Sequence, residues 1–100
     1  MPDRGKINYE IQYTKAADKF LKIHEDIRTQ YEDAVKELLA GDHPEKVDVK
    51  RIRGKHNDYF RIRIGSCRIV YAVINGKIVV ITTLLAGNRG DVYKKMGGLK

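Results

Sequence analysis

The sequence predicts an α+β fold of order β-α-α-β-β-β, with one antiparallel-rich twisted sheet, two helices on one of its faces and a short C-terminal helix. Three observations carry that prediction. INYEIQY, residues 7–13, alternates Ile7, Tyr9, Ile11 and Tyr13 with Asn8, Glu10 and Gln12, the period of two of a half-buried strand. Ile27, Tyr31, Ala34, Val35 and Leu38 recur at helical spacing. YFRIRI, CRIVYAVI and KIVVITTLL then follow as strand-like runs, parted by Gly65-Ser66 and Asn75-Gly76, two-residue loops of the kinds that close tight hairpins.

Between these anchors the remaining elements follow in order. Thr14 offers a side-chain oxygen to cap a helix over KAADKFLKI, about Lys15 to Ile23, with Ala16, Ala17, Phe20 and Leu21 on one side. A junction at His24 to Asp26 leads into the second helix, which Gly41 ends as a C′ residue and Pro44 keeps from resuming. The polar stretch DHPEKVDVKRIRGKHND contains Val47, Val49 and Ile52 as a weakly alternating short strand before a turn at Gly54 to Asp58. GNRGDVYKKM reads as a terminal turn and short helix, and the chain has no internal repeat.

One hundred residues form one domain, residues 1–100, and 42% hydrophobic with 33% charged residues describes a soluble globule. The start MPDRGKINYE has no apolar run, and no eighteen consecutive apolar residues occur, so a cytoplasmic protein without membrane contact is expected. The lone Cys67 suits a reducing compartment. His24 and His43 read as solvated punctuation, and no Cys/His spacing makes a zinc site, so neither metal nor cofactor is expected. Charge is polarised along the chain. Residues 1–49 carry −3 of the formal charge and residues 50–68 carry +6, within a total of +7. A positive field on one side is the footprint of a polyanionic partner such as nucleic acid.

A two-residue loop at Gly65-Ser66 pairs Ile64 with Cys67, Arg63 with Arg68, Ile62 with Ile69, Arg61 with Val70 and Phe60 with Tyr71. Phe60, Ile62, Ile69 and Tyr71 then face the helices, while Arg61, Arg63 and Arg68 share the opposite face. A two-residue loop at Asn75-Gly76 would set Val70 beside Ile81 and Arg68 beside Thr83. Arg63 across from Arg68 costs about 0.2 to 1 kcal/mol in repulsion. Asp58 is the only acidic residue between Lys50 and Arg68, so the missing anion is read as a ligand phosphate, for which guanidinium supplies bidentate donors.

The run from Lys50 to Met96, KRIRGKHNDYFRIRIGSCRIVYAVINGKIVVITTLLAGNRGDVYKKM, resembles the second half of the RelE/ParE superfamily of toxins, with the preceding strand and helix pair fitting that fold. RIRG before the hairpin, the YFRIRI and CRIVY pair, and GNRGDVY in this order carry the resemblance to the RelE-like mRNA interferase branch. The resemblance implies a type II toxin that enters the ribosomal A site, cuts messenger RNA there, and is neutralised by a cognate RelB-like antitoxin. It places Arg61 and Arg63 where relatives have two catalytic lysines, and matches Arg68 to an arginine on the scissile phosphate. Arg89 and Tyr93 match the C-terminal arginine and tyrosine, and Arg53 matches an arginine on ribosomal RNA. Arg51, Lys55, His56, Lys94 and Lys95 are further RNA-binding candidates by charge and position.

Metal-free RNA cleavage by the 2′-hydroxyl needs charge stabilised on the phosphorane and protons moved at two oxygens. Guanidiniums suit the first task. Arginine effectively cannot lose its proton, so Arg61 and Arg63 hold phosphate rather than act as bases. Asn88 stands where many relatives have a histidine, and an amide cannot replace a titrating imidazole. Two alternatives remain open at this point: a ParE-like inhibitor of DNA gyrase, and a catalytically inactive nucleic-acid-binding member of the same fold.

Overall fold

The computed structural model describes residues 8–53, 58–75, 78–88, 90 and 92, and it realises the predicted α+β fold, with the weakly alternating segment before β3 present as an additional edge strand. The elements are β1 (Tyr9–Tyr13), α1 (Lys15–Lys22), α2 (Glu25–Ala40), a 3-10 turn at Pro44–Lys46, β2 (Val49–Arg53), β3 (Asp58–Ile64), β4 (Cys67–Ile74) and β5 (Val79–Asn88). They form a five-stranded sheet of order β1-β5-β4-β3-β2. β1 runs parallel to β5, and the other pairs are antiparallel. Gly90 and Val92 are helical, and the rest of the predicted C-terminal helix lies outside the described residues. No helix among the described residues is long and apolar enough to cross a membrane.

Both helices lie on one face of the sheet, α1 over β5 and α2 over β3. Leu21 from α1 with Tyr31 and Val35 from α2 meet Ile62, Ile64, Ile69, Tyr71, Ile81 and Ala86 from the sheet in the main core. Tyr31 is fully buried and its hydroxyl shares a 2.7 Å hydrogen bond with Thr83 Oγ1, so the one polar atom it takes inside is satisfied. At the edge of the core the Tyr13 hydroxyl donates to Glu32, whose carboxylate also accepts from Arg28 Nε at 3.2 Å. The Arg28 guanidinium lies 4.8 Å from the Tyr13 ring centre.

Thr14 caps α1 as its sequence position predicts, accepting from the Ala17 amide at 3.2 Å. Its hydroxyl also donates to the Leu84 carbonyl at 2.7 Å, and its amide donates to the Thr83 carbonyl at 2.9 Å. A β-bulge lies at this point of β5, where Val70 pairs with Leu85 but Tyr71 pairs with Thr83, leaving Leu84 extra. Thr14 therefore takes up a carbonyl at the bulge as well as capping the helix.

Two local expectations change. Gly41 does close α2, but with φ −88° and ψ 172° it is extended rather than left-handed. The Glu37 carboxylate folds over it to accept from the His43 amide at 2.7 Å, and a Cβ on Gly41 would collide with that carboxylate. The loop after β4 is also longer than two residues: Ile74 pairs with Val80, leaving Asn75 to Val79 between them. With the bulge, this moves Arg68 from Thr83 to Gly87 and Val70 from Ile81 to Leu85. Thr83 and Ile81, both expected on the outer face, thereby enter the core. Gly65-Ser66 keeps its two-residue turn, with Gly65 at φ +59° as the first central residue of a type II′ hairpin requires.

Burial raises the pKa of Tyr13, Tyr31 and Tyr71, the last to about 12. The unfolded chain ionises its tyrosines near pH 10, before the folded chain does, so between those values the unfolded state binds fewer protons. Stability is fully present below about pH 10 and falls as pH rises through about 12. Denaturant titrations across that range should show a falling midpoint, and Tyr71→Phe should weaken the fall.

Candidate nucleic-acid interface

The outer face of the sheet is set by register. Across β2, β3, β4 and β5, one row holds Lys50, Arg61, Val70 and Leu85. The next holds Asp48, Arg63, Arg68 and Gly87, where the Arg63 amide donates to the Asp48 carbonyl at 2.9 Å. Strand spacing of about 4.8 Å sets Lys50 beside Arg61 and Arg63 beside Arg68, with Arg61 and Arg63 two residues apart on the same face of β3. The convergence of Arg61, Arg63 and Arg68 on one face is as the hairpin predicts. Lys50, which lies in a segment too weakly patterned to place from sequence, joins them because β2 is a true strand.

Arg68 is the unusual member. It is only 9% exposed, its Nη1 donates to the Cys67 carbonyl at 3.3 Å, and its Nε is shut from solvent with no hydrogen-bond partner among the described residues. A buried charge ordinarily has a counterion or a full set of hydrogen bonds. No carboxylate pairs with Arg68 among the described residues, and Gly87 places no side chain across from it. The arrangement leaves guanidinium donors set for an anion.

Arg63 corrects the sequence argument. Its Nε lies 2.9 Å from the Asp48 carboxylate, with both side chains about half exposed, so it has a carboxylate of its own. Asp48 lies before Lys50, outside the basic stretch from Lys50 to Arg68, and only β2–β3 pairing brings it alongside. Arg51 is placed apart from these arginines. It pairs with Phe60, a residue of the helix-side core, so the register places Arg51 on the face opposite Arg61. Arg53 ends β2 opposite Asp58 in the backbone register. Lys55, His56, Arg89, Tyr93, Lys94 and Lys95 lie outside the described residues.

The same face carries a small second core of Val70, Leu85 and Val92, with Tyr59 and Leu84 packed against it. Val92 is fully buried there, against Val70 and Leu85 of the row that contains Arg61. The cationic patch is thus bordered by an apolar one, as the hairpin register predicts, although Leu85 and not Ile81 supplies the partner of Val70. His24 precedes α2 with its ring stacked on Phe20 at 4.3 Å, and His43 Nδ1 lies 3.2 Å from Glu45. Among the described residues no group of three or more His, Cys, Asp or Glu side chains is placed to hold a metal ion.

The fold is that of small toxins from toxin–antitoxin pairs. The toxin of the RelB-RelE antitoxin-toxin complex from Methanococcus jannaschii is 29% identical, with a TM-score of 0.56 over 84% of this chain and 96% of that one. A metal-bound toxin from Helicobacter pylori shares the fold at 15% identity, with a TM-score of 0.63 over 87% of this chain and 99% of that one. Comparison with curated proteins gives no match. Residues 11–89 match the family described as ParE toxin of type II toxin-antitoxin system, parDE, and the chain belongs to that family within the RelE/ParE superfamily.

Proposed function

We propose that this toxin is a ribosome-dependent endoribonuclease that cleaves messenger RNA in the A site, and that a RelB-like antitoxin neutralises it. The observation that carries the reading is Arg68, a buried guanidinium on a cationic face whose Nε has no hydrogen-bond partner among the described residues. A scissile phosphate supplies the missing acceptor. The reaction needs no metal. The 2′-oxygen of the message bonds to phosphorus as the bond to the 5′-oxygen breaks, the 2′-hydroxyl gives up a proton, and the leaving oxygen gains one. The products are a 2′,3′-cyclic phosphate and a 5′-hydroxyl.

In this scheme Arg68 and Arg61 stabilise the extra charge of the phosphorane, because donors fixed in a water-poor site need no reorganisation as that charge develops. Lys50 adds to the field that draws in the message. Arg89 and Tyr93 come to the site through the family resemblance of GNRGDVY, and the burial of Val92 on the same face supports that placement. The basic face also favours an acidic antitoxin segment electrostatically.

A second reading has its own support, since the matched family is that of ParE toxins, and the resemblance implies gyrase poisoning for that branch. Induced expression followed by mapping of messenger RNA 5′ ends separates the two. Cuts at A-site codons, relieved more by Arg68→Ala or Arg89→Ala than by Tyr93→Phe, are the expected result. Intact messages with a DNA-damage response would overturn it in favour of gyrase.

A further inference from the structure

Arg63 stands directly across β3–β4 from Arg68, yet its guanidinium is engaged on the other side, by Asp48 just before β2. Two contacts hold the pair together: the carboxylate on Nε at 2.9 Å, and the Asp48 carbonyl accepting from the Arg63 amide at 2.9 Å. The backbone contact stays whatever stands at residue 48. The carboxylate contact does not. Both side chains are about half exposed, so solvent screens the pair and it adds little to folding. Its larger consequence is at the anion site beside it, where a carboxylate competes with any phosphate for the same guanidinium.

We propose that Asp48 sets the strength of RNA binding by holding Arg63 as an internal ion pair, so that the anion site works with one guanidinium fewer than its arginines suggest. This rests on the reading of the outer face as an RNA site. Asp48 touches no substrate itself; it is a residue that determines affinity through Arg63. The charged groups facing the pair are Lys50, two residues along β2, Arg61, two residues back along β3, and Arg68 on β4. All are cations, so Asp48 is the acidic member of the patch among the described residues.

The test is a double-mutant cycle on the purified protein, with a 2′-O-methyl single-stranded RNA that cannot be cleaved, titrated over a range of salt concentrations. Asp48→Asn should bind this RNA about two- to fivefold more tightly at low salt, the fold-change that matches a screened ion pair. Its log–log salt slope should steepen by about 0.7, the value for one added phosphate contact on a single strand. The gain should shrink in an Arg63→Gln background, because a carboxylate acting through Arg63 has nothing there to release. Equal gains in both backgrounds, or an unchanged slope, overturn the proposal. Arg68→Gln is the control for the site: if it weakens binding while Asp48→Asn changes nothing, only the Asp48 proposal fails. If Arg68→Gln also leaves binding intact, the RNA site itself is misplaced.

Discussion

Arg68→Met should cost the toxin its cleavage activity while leaving it at least as stable as the parent. The two halves of this result have one physical origin. Guanidinium at residue 68 is held at 9% exposure without a carboxylate among the described residues, and it faces Arg63 across the strand pair. Removing a charge from water costs several kcal/mol unless pairing and hydrogen bonds return it, and replacing such a group with an apolar one of similar size is often neutral or stabilising by about 1–4 kcal/mol. The same group is the strongest candidate for stabilising the phosphorane. Loss of one preorganised donor at a developing oxyanion lowers kcat by about 10²–10³-fold. Urea denaturation read beside a ribosome-programmed cleavage assay checks both halves. A clear fall in stability would mean that Arg68 is a structural residue and would remove the observation on which the proposed function rests.

Tyr31→Ala should have the largest effect on folding. The side chain is fully buried, its ring lies 6.4 Å from that of Tyr13 and 6.2 Å from that of Tyr71, and its hydroxyl meets the buried Thr83. Truncating a buried aromatic costs about 3–5 kcal/mol, against a total stability of about 5–15 kcal/mol for an ordinary domain. Tyr31→Phe keeps the ring and loses only the hydrogen bond, leaving the Thr83 hydroxyl to find another partner, at about 1–3 kcal/mol. Calorimetry on the two variants separates packing from hydrogen bonding. Equal losses would mean that the hydroxyl, not the ring, anchors α2 to the sheet.

The sequence patterns that proved legible were those set by local chemistry. Thr14 announced α1, the spacing of Tyr31 and Val35 announced the buried side of α2, and Gly65-Ser66 gave the β3–β4 register residue for residue. That register alone was enough to group Arg61, Arg63 and Arg68. What failed depended on partners distant in the chain. Asn75-Gly76 has the composition of a tight turn, but burying Ile81, Thr83 and Ala86 together against the helices calls for a longer loop and a bulge. Asp48 and Lys50 sat in a weakly patterned segment whose strand character comes from pairing with β3, so neither could be assigned to the patch until that pairing was known. The face that Arg51 occupies was out of reach for the same reason, since a residue's face on a strand is fixed only once its partner is.

The parallel pairing of β1 with β5 bears on the order in which this molecule assembles. The β3–β4 hairpin closes over two residues, whereas Tyr9 must find Val79 across 70 positions of chain. Loop-closure entropy makes the second event about 3 kcal/mol costlier before any contact repays it. Long-range pairing of this kind lengthens folding times. As the chain folds, the arginine-bearing hairpin can therefore form while β1 still waits for its neighbour, and the sheet closes only once β5 has docked on both β4 and β1.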